Sequence, residues 1–167
     1  MMASVLKVDE IQSTSAGGVL FPTRPSFFVY RATSDSSDQN FSAANTLVTF
    51  DTKQHDIGNN FDLSTDTYTV PISGVYQLNW QVRLQSVTSA TYIFASLYLN
   101  GAAHWGDSLY MYAGMEDPQS GNYLSPSTSA TVQLTANDTL QIYIRVNADT
   151  ASRIENAGTF FSGYLVG

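Results

Sequence analysis

Residues 50–80 read FDTKQHDIGNNFDLSTDTYTVPISGVYQLNW, and the second half of this stretch decides the fold class. From Tyr76 onward, apolar side chains recur at every second position, and the positions between them are mostly polar. The apolar series is Tyr76, Leu78, Trp80, Val82 and Leu84. A period of two predicts a half-buried antiparallel strand with one apolar face. Gly74 precedes this strand, at a point where the chain must turn and glycine has no Cβ to hinder it.

Similar patterns continue outward from this stretch in both directions. Upstream, residues 46–50 predict a strand, and residues 55–60 predict a turn-rich connection that includes the first histidine. Downstream, residues 91–99 predict a strand with two apolar faces, Asn100-Gly101 predicts a hairpin turn, and residues 130–146 predict a hairpin. No segment has the period of an amphipathic helix. The sequence therefore predicts an all-β protein built as a two-sheet sandwich.

The same stretch resembles the signature of the C1q globular-head family, which shares its fold with the tumour necrosis factor proteins. At that family's spacing, the signature positions fall on Phe50, Asp56, Phe61, Tyr68, Gly74, Tyr76, Leu78 and Trp80. Tyr68 and Leu78 stand where the family prefers Phe, and Trp80 stands where it prefers Phe or Tyr. Residues 25–31 and 159–165 resemble the family's opening and closing strands. The resemblance covers residues 25–167 and implies a jelly-roll β-sandwich of about ten antiparallel strands that assembles as a homotrimer.

Composition and charge exclude several classes of partner. The 167 residues carry a net charge of −7 with only seven Lys and Arg, so nucleic acid and anionic lipid surfaces would repel the chain. There is no cysteine, which excludes disulfides and thiolate chemistry. No run approaches the roughly 20 apolar residues of a membrane-spanning helix. We therefore expect no nucleic-acid partner and no membrane insertion.

Residues 1–24 predict an extended N-terminal docking arm and linker ahead of a jelly-roll domain at 25–167. Leu6, Val8 and Ile11 are the candidate particle-docking side chains, and residues 13–18 have the composition of a flexible linker. The opening ASVLKVDEIQSTSAGG of residues 3–18 resembles the start of bacteriophage virion proteins, both fibre and decoration proteins. Residues 1–10 lack the features of a signal peptide, so we expect synthesis in the host cytoplasm and a final place on the virion surface.

The sequence offers no catalytic constellation. There are two histidines, His55 and His104, and no nucleophile elbow, metalloprotease motif or phosphate loop. The acidic residues are scattered, and they do not follow the pattern of a calcium-binding loop. Calcium is considered only because the family resemblance extends to C1q-like trimers that look like calcium binders. The expectation is a protein that is not an enzyme and binds no cofactor, with calcium as the one metal to consider.

Two surfaces stand out as candidate sites. Tyr92, Phe94 and Tyr98 line the second face of the strand at 91–99, and the resemblance implies that such a face forms the trimer interface. Plain core packing is the alternative for these three side chains. Residues 113–127 predict a long loop, in which Glu116, Asp117 and Tyr123 are candidate ligand contacts. A connector without a binding role is the alternative for that loop.

These features lead to one leading function and one alternative. The leading function is a non-enzymatic homotrimer on the surface of a phage particle, acting as a capsid decoration or cement protein or as a short fibre. Its partners would be copies of itself, capsid or tail subunits, and a host surface receptor. The alternative is a recognition module for carbohydrate or protein, either within a tail fibre or as a soluble C1q-like lectin.

Overall fold

The structure is a computed structural model that describes residues 24–32, 38–40, 45–87, 92–103, 112–116, 121–146 and 153–166. These residues form sixteen β-strands and no helix, and ten of the strands have four or more residues. The longer strands are β1 (Ser26–Tyr30), β4 (Thr52–Ile57), β7 (Gly74–Gln81), β8 (Leu84–Val87), β9 (Tyr92–Leu99), β11 (Tyr112–Glu116), β12 (Gly121–Leu124), β13 (Ser127–Leu134), β14 (Thr139–Val146) and β16 (Phe160–Leu165). The shorter ones are β2 (Gln39–Asn40), β3 (Thr46–Leu47), β5 (Phe61–Asp62), β6 (Thr67–Thr69), β10 (Ala102–Ala103) and β15 (Arg153–Ile154).

The strands form two large antiparallel sheets and a smaller third one. One large sheet has the order β13-β7-β16-β1-β4. The other has the order β10-β9-β14-β6-β5, with β11 also paired to β9 and β3 also paired to β14. The smaller sheet has the order β12-β8-β15-β2. The all-β jelly-roll prediction is confirmed.

Strand β7 lies inside the five-stranded sheet, and its apolar face fills the core. Tyr76, Leu78 and Trp80 of β7 are fully buried, and the alternate residues of the strand are partly exposed. The Trp80 Nε1–H donates to the Ala95 carbonyl of β9 at 3.0 Å, which links the two large sheets. Burying a Trp in this way requires a partner for its N–H, and β9 supplies one.

Gly163 lies at a point where the core leaves little room for a Cβ. In the register of the five-stranded sheet it lies between Phe27 of β1 and Leu78 of β7. A Cβ at this position would lie 2.6 Å from the Leu78 Cδ2 and 2.9 Å from the Phe27 Cε1. The space is taken by the Phe27 ring, which stacks on Tyr68 with 4.1 Å between ring centroids. Only glycine leaves room for that stack.

Three local predictions were wrong. Residues 130–146 do not form a hairpin, because β13 pairs with β7 in one sheet and β14 pairs with β9 in the other. The turn between them is held instead by Val70, whose carbonyl accepts from the Asn137 N–H and whose N–H donates to the Asp138 carbonyl, both at 2.8 Å. Turn-forming residues in the sequence predict that the chain reverses, but they do not predict which sheet each flanking strand joins.

The other two corrections concern segments expected to be loops. His55 lies within strand β4 rather than in a turn, because pairing with β1 extends the strand to Ile57 before the chain reverses at Gly58. Residues 113–127 contain strands β11 and β12, which pair with the edges of β9 and β8. Tertiary pairing overrides the weak local pattern in both segments.

Candidate functional site

The predicted interface strand β9 presents its second face outward, as the alternation indicated. Ile93, Ala95 and Leu97 point into the core and are buried, whereas Tyr92 and Phe94 are partly exposed. The rings of Tyr92 and Phe94 stack with centroids 4.8 Å apart. These two side chains therefore form an ordered aromatic pair on the outside of the seven-stranded sheet.

Tyr98 differs from its two neighbours because its own chain already covers it. It is 9% exposed and stacks on Tyr143 of β14 with 4.0 Å between centroids. Its hydroxyl oxygen accepts from the Asn45 Nδ2 at 2.7 Å. Burial raises the pKa of the Tyr98 hydroxyl, with a smaller contribution from Tyr143, while Arg145 opposes the shift. Any partner on this face would meet mainly Tyr92 and Phe94.

A second aromatic face, which was not singled out from the sequence, lies on the outside of the five-stranded sheet. Phe28 of β1 stacks on Phe160 of β16 with centroids 5.4 Å apart and rings inclined by only 11°. The ring centroid of Tyr30 lies 6.1 Å from that of Phe28, on the same side of β1. Tyr164 stands further along β16 and is 51% exposed. The signal was present in the sequence, because both β1 and β16 have apolar residues at consecutive positions and hence on both faces.

On β1, β7, β13 and β16, four of the five strands of this sheet, the remainder of the second face is mostly polar and carries no charged residue. We define the uncharged face by the outward positions of four strands, none of which is Asp, Glu, Lys or Arg. These positions are Ser26, Phe28, Tyr30, Val75, Gln77, Asn79, Gln81, Ser127, Ser129, Thr131, Gln133, Phe160, Ser162 and Tyr164. The Thr131 Oγ1–H donates to the Gln77 Oε1 at 2.7 Å, so neighbouring strands are also joined by their side chains.

A buried polar cluster lies at one end of the sandwich. Arg31 donates from Nη1 to the carbonyl and hydroxyl oxygens of Thr49, the carbonyl at 2.8 Å, and from Nε to the Asn156 Oδ1 at 3.1 Å. Burial lowers the pKa of Arg31, and nearby acids, with Asp51 the strongest, oppose that shift. The Arg31 guanidinium thus connects the end of β1 to the segments that contain Thr49 and Asn156, and this contact stabilises the fold.

Asp66 is a buried carboxyl group whose surroundings change its pKa. It is 5% exposed, and its Oδ1 accepts from the Phe50 N–H at 2.7 Å. Burial raises the pKa of Asp66 to about 6, although the bond from Phe50 and the charge of Arg31 both favour the ionised form. The Asp66 carboxylate therefore satisfies a buried backbone donor, and its titration couples the pH to the stability of the fold.

The structure places only part of the candidate ligand loop. Tyr123 of β12 is 52% exposed, and the Arg83 guanidinium carbon lies 4.5 Å above its ring centroid. Arg83 also pairs through Nε with the Glu155 Oε2 at 2.6 Å. Glu116 ends strand β11, opposite Tyr92 of β9, so it belongs to a different sheet from Tyr123. Asp117 lies outside the described residues.

The remaining candidates contribute no assembled site. The docking residues Leu6, Val8 and Ile11 and the second histidine, His104, lie outside the described part of the chain. His55 is exposed on β4. Across the described ranges, no group of three or more His, Cys, Asp or Glu is placed to hold a metal ion. In those same ranges no helix is long and apolar enough to cross a membrane.

Comparison with known proteins agrees with this architecture. The family model described as "C1q domain" matches residues 26–166. The globular domain of zebrafish complement 1qA protein is similar in structure, with a TM-score of 0.58 and 17% identity over 86% of this chain and 98% of that one. Murine APRIL at pH 8.5 is similar with a TM-score of 0.59 and 16% identity over 86% of this chain and 99% of that one. No curated protein matches.

Proposed function

Because this chain belongs to the C1q domain family, we propose that it is a non-enzymatic, homotrimeric surface protein of a bacteriophage particle. In this role the N-terminal arm docks the protein to capsid or tail subunits, and the jelly-roll trimer faces outward. The protein then acts as a decoration or cement protein, or as a short fibre. The observation that carries the trimer is the uncharged face of the five-stranded sheet.

The composition of the uncharged face suits contact between copies of the chain. The buried centres of protein interfaces are depleted in charge and enriched in aromatic residues. This face combines the Phe28–Phe160 stack and Tyr30 with amide and hydroxyl side chains, on a protein whose net charge is −7. Identical chains of that charge repel one another, so a face without acids is where three copies can approach. C1q-like and TNF-like relatives form homotrimers, which supports self-association.

The aromatic pair Tyr92–Phe94, with Tyr98 beside it, is the second candidate for the threefold contact. It has the aromatic content of an interface, but Arg145 lies on the same face with its guanidinium carbon 5.7 Å from the Tyr92 ring centroid. Tyr98 is already covered by Tyr143 and has little surface left to bury. We therefore assign the trimer contact to the uncharged face and retain the β9 face as the competing site.

A matched set of substitutions separates the two faces. Phe28→Asp and Phe94→Asp each place a carboxylate on one of the faces at a half-buried Phe. Asn79→Asp adds a charge to the uncharged face with almost no change in side-chain shape. We expect Phe28→Asp and Asn79→Asp to yield monomers in light scattering after gel filtration, and Phe94→Asp to remain trimeric. The opposite result would move the contact to the β9 face.

The virion placement is carried by the resemblance of residues 3–18 alone, and it has its own test. Deleting residues 1–20 should abolish binding to purified particles and leave the trimer intact. Replacing Leu6, Val8 and Ile11 by Ser should have the same effect, because these apolar side chains are the proposed docking contacts. Lys7→Ser is the matched control and should still bind. Particle binding that survives the deletion would refute docking by the arm.

A recognition module is the alternative function. A rigid trimer presents three copies of any weak site, and simultaneous engagement raises the overall affinity 10²–10⁴-fold, roughly, without new contacts. Mass spectrometry of purified virions discriminates the two functions. A virion protein is found at a fixed copy number per particle, whereas a free lectin is absent from washed particles.

A further inference from the structure

The surface holds a polar cleft that none of the roles above uses. It has a volume of about 620 Å³ and is lined by Lys53, Asn59, Asn60, Phe61, Asp62, Leu63, Ser64 and Thr69. This volume lies within the range of small-molecule sites in proteins, roughly 300–1,000 Å³. The lining comes from Lys53 near the start of β4, the turn that follows β4, and the β5–β6 segment, so a single copy of the chain contains all of it.

Hydrogen bonds fix one wall of the cleft. The Asp56 carboxylate accepts from the backbone N–H groups of Asn60 and Phe61, both at 3.0 Å, and pairs with the Lys53 Nζ at 2.9 Å. The Lys53 ammonium also donates to the Asn59 Oδ1 at 2.9 Å. An ammonium has three protons. These two acceptors take two of them, which leaves one donor for a ligand.

Another part of the lining presents an acceptor, the Asp62 carboxylate. The Asp62 Oδ1 accepts from both the backbone N–H and the hydroxyl of Ser64, at 2.8 and 2.7 Å. These bonds, the hydroxyl bond first, lower the pKa of Asp62, and the charge of Lys53 contributes to the same shift. A carboxylate has about four acceptor positions, so Asp62 retains capacity for a ligand after bonding Ser64. It stays ionised at neutral pH and can accept a hydrogen bond from a ligand hydroxyl.

We propose that this cleft binds a neutral sugar through two adjacent hydroxyl groups. One hydroxyl would donate to the Asp62 carboxylate while its neighbour accepts from the Lys53 ammonium, and the Leu63 side chain would cover the apolar edge of the ring. Amides and hydroxyls of the lining suit the remaining hydroxyls, since both groups donate and accept. Asp62 and the net charge of −7 disfavour acidic sugars. The proposal gives a ligand class to the recognition role and is independent of trimerisation.

The test is a titration followed by NMR on ¹⁵N-labelled full-length protein. The probes are methyl α-D-mannopyranoside and methyl β-D-galactopyranoside, with N-acetylneuraminic acid as the acidic comparator. Concentrations up to about 50 mM are needed, because a ligand of this size binds in the millimolar range. We expect at least one neutral probe to shift the amide signals of residues 53 and 59–64, and to do so more strongly than the acidic sugar.

Variants make the assignment specific. Asp62→Asn and Lys53→Met should each weaken binding about tenfold or more, the usual effect of losing a hydrogen bond to a charged group. Gln54→Ala is the matched control, because Gln54 neighbours Lys53 on β4 but does not line the cleft. Thermal unfolding checks that each variant is folded, and Asp62→Asn can keep the Ser64 turn through its amide oxygen.

Three results would overturn the proposal: no shift with either neutral probe, stronger binding of the acidic sugar, or equal binding by Asp62→Asn and wild type. The Asn79→Asp variant, expected to be monomeric, distinguishes failure of the sugar site from failure of the proposed trimer, because it should bind the monosaccharide with unchanged affinity.

Discussion

Replacing Gly163 by Ala should destabilise the protein by about 1–2 kcal/mol. The new Cβ would lie 2.6 Å from the Leu78 Cδ2, 2.9 Å from the Phe27 Cε1 and 3.2 Å from the Gln77 carbonyl oxygen. The Leu78 methyl can rotate away, but the Phe27 ring is held by its stack on Tyr68. Overpacking of this kind costs about 1–3 kcal/mol. Alanine also lowers the conformational entropy of the unfolded chain, which offsets about 0.4–1 kcal/mol of this loss in stability.

The assay is thermal unfolding at a fixed protein concentration, since an oligomer's midpoint depends on concentration. A loss of 1–2 kcal/mol corresponds to a midpoint lower by roughly 3–6 °C for a domain of this size. The double variant Gly163→Ala with Leu78→Val is the control. Removing the Leu78 Cδ methyl relieves the closest contact, so the two changes together should cost less than their sum. A midpoint equal to or above that of wild type would refute the packing described around Gly163.

Two further predictions concern the core and the buried carboxyl group of Asp66. Trp80→Phe should cost about 2–4 kcal/mol in urea unfolding, because it leaves a cavity and removes the bond to the Ala95 carbonyl; a loss below about 0.5 kcal/mol would contradict that bond's role. The folded pKa of Asp66 lies above its ordinary value of 3.8, so the folded state binds the proton more tightly than the unfolded state. Its contribution to stability is complete below pH 3.8 and is lost as the pH rises through about 6, by at most about 3 kcal/mol. Relative to Asp66→Asn, wild type should therefore lose stability between pH 4 and 7, and parallel pH profiles would contradict this.

The fold was largely predictable because the deciding pattern is strong and local. The alternation from Tyr76 to Trp80 predicted the central strand and its buried face, and the spacing up to Trp80 gave the family resemblance. The same alternation was wrong beyond Gln81, where β7 ends, because Leu84 begins β8 in the smaller sheet. The order of strands in the sheets was not predictable from periodicity. A turn at Asn137 indicates that the chain reverses, but the two strands it joins enter different sheets, and the turn itself is bonded to Val70.

The candidate site was predictable only in part, for a physical reason. Apolar residues on both faces of a strand indicate that both faces are covered, but not whether the cover is the chain itself or another copy. The same signal applies to β1 and β16, where Phe28 and Phe160 stack on the outer face. The lack of charge on that face became visible only when four strands distant in sequence were placed side by side. The polar cleft beside Lys53 likewise depends on the approach of Asp62 from another strand.

Self-association is the central claim, and sedimentation equilibrium of the unmodified protein tests it most directly. One chain has a mass of 18.2 kDa, so three chains give about 55 kDa. We expect a single species of that mass at micromolar concentration, and a shift to 18.2 kDa in the Asn79→Asp variant. A wild-type protein that sediments at 18.2 kDa over the same concentrations would contradict the trimer and the interface assigned to the uncharged face.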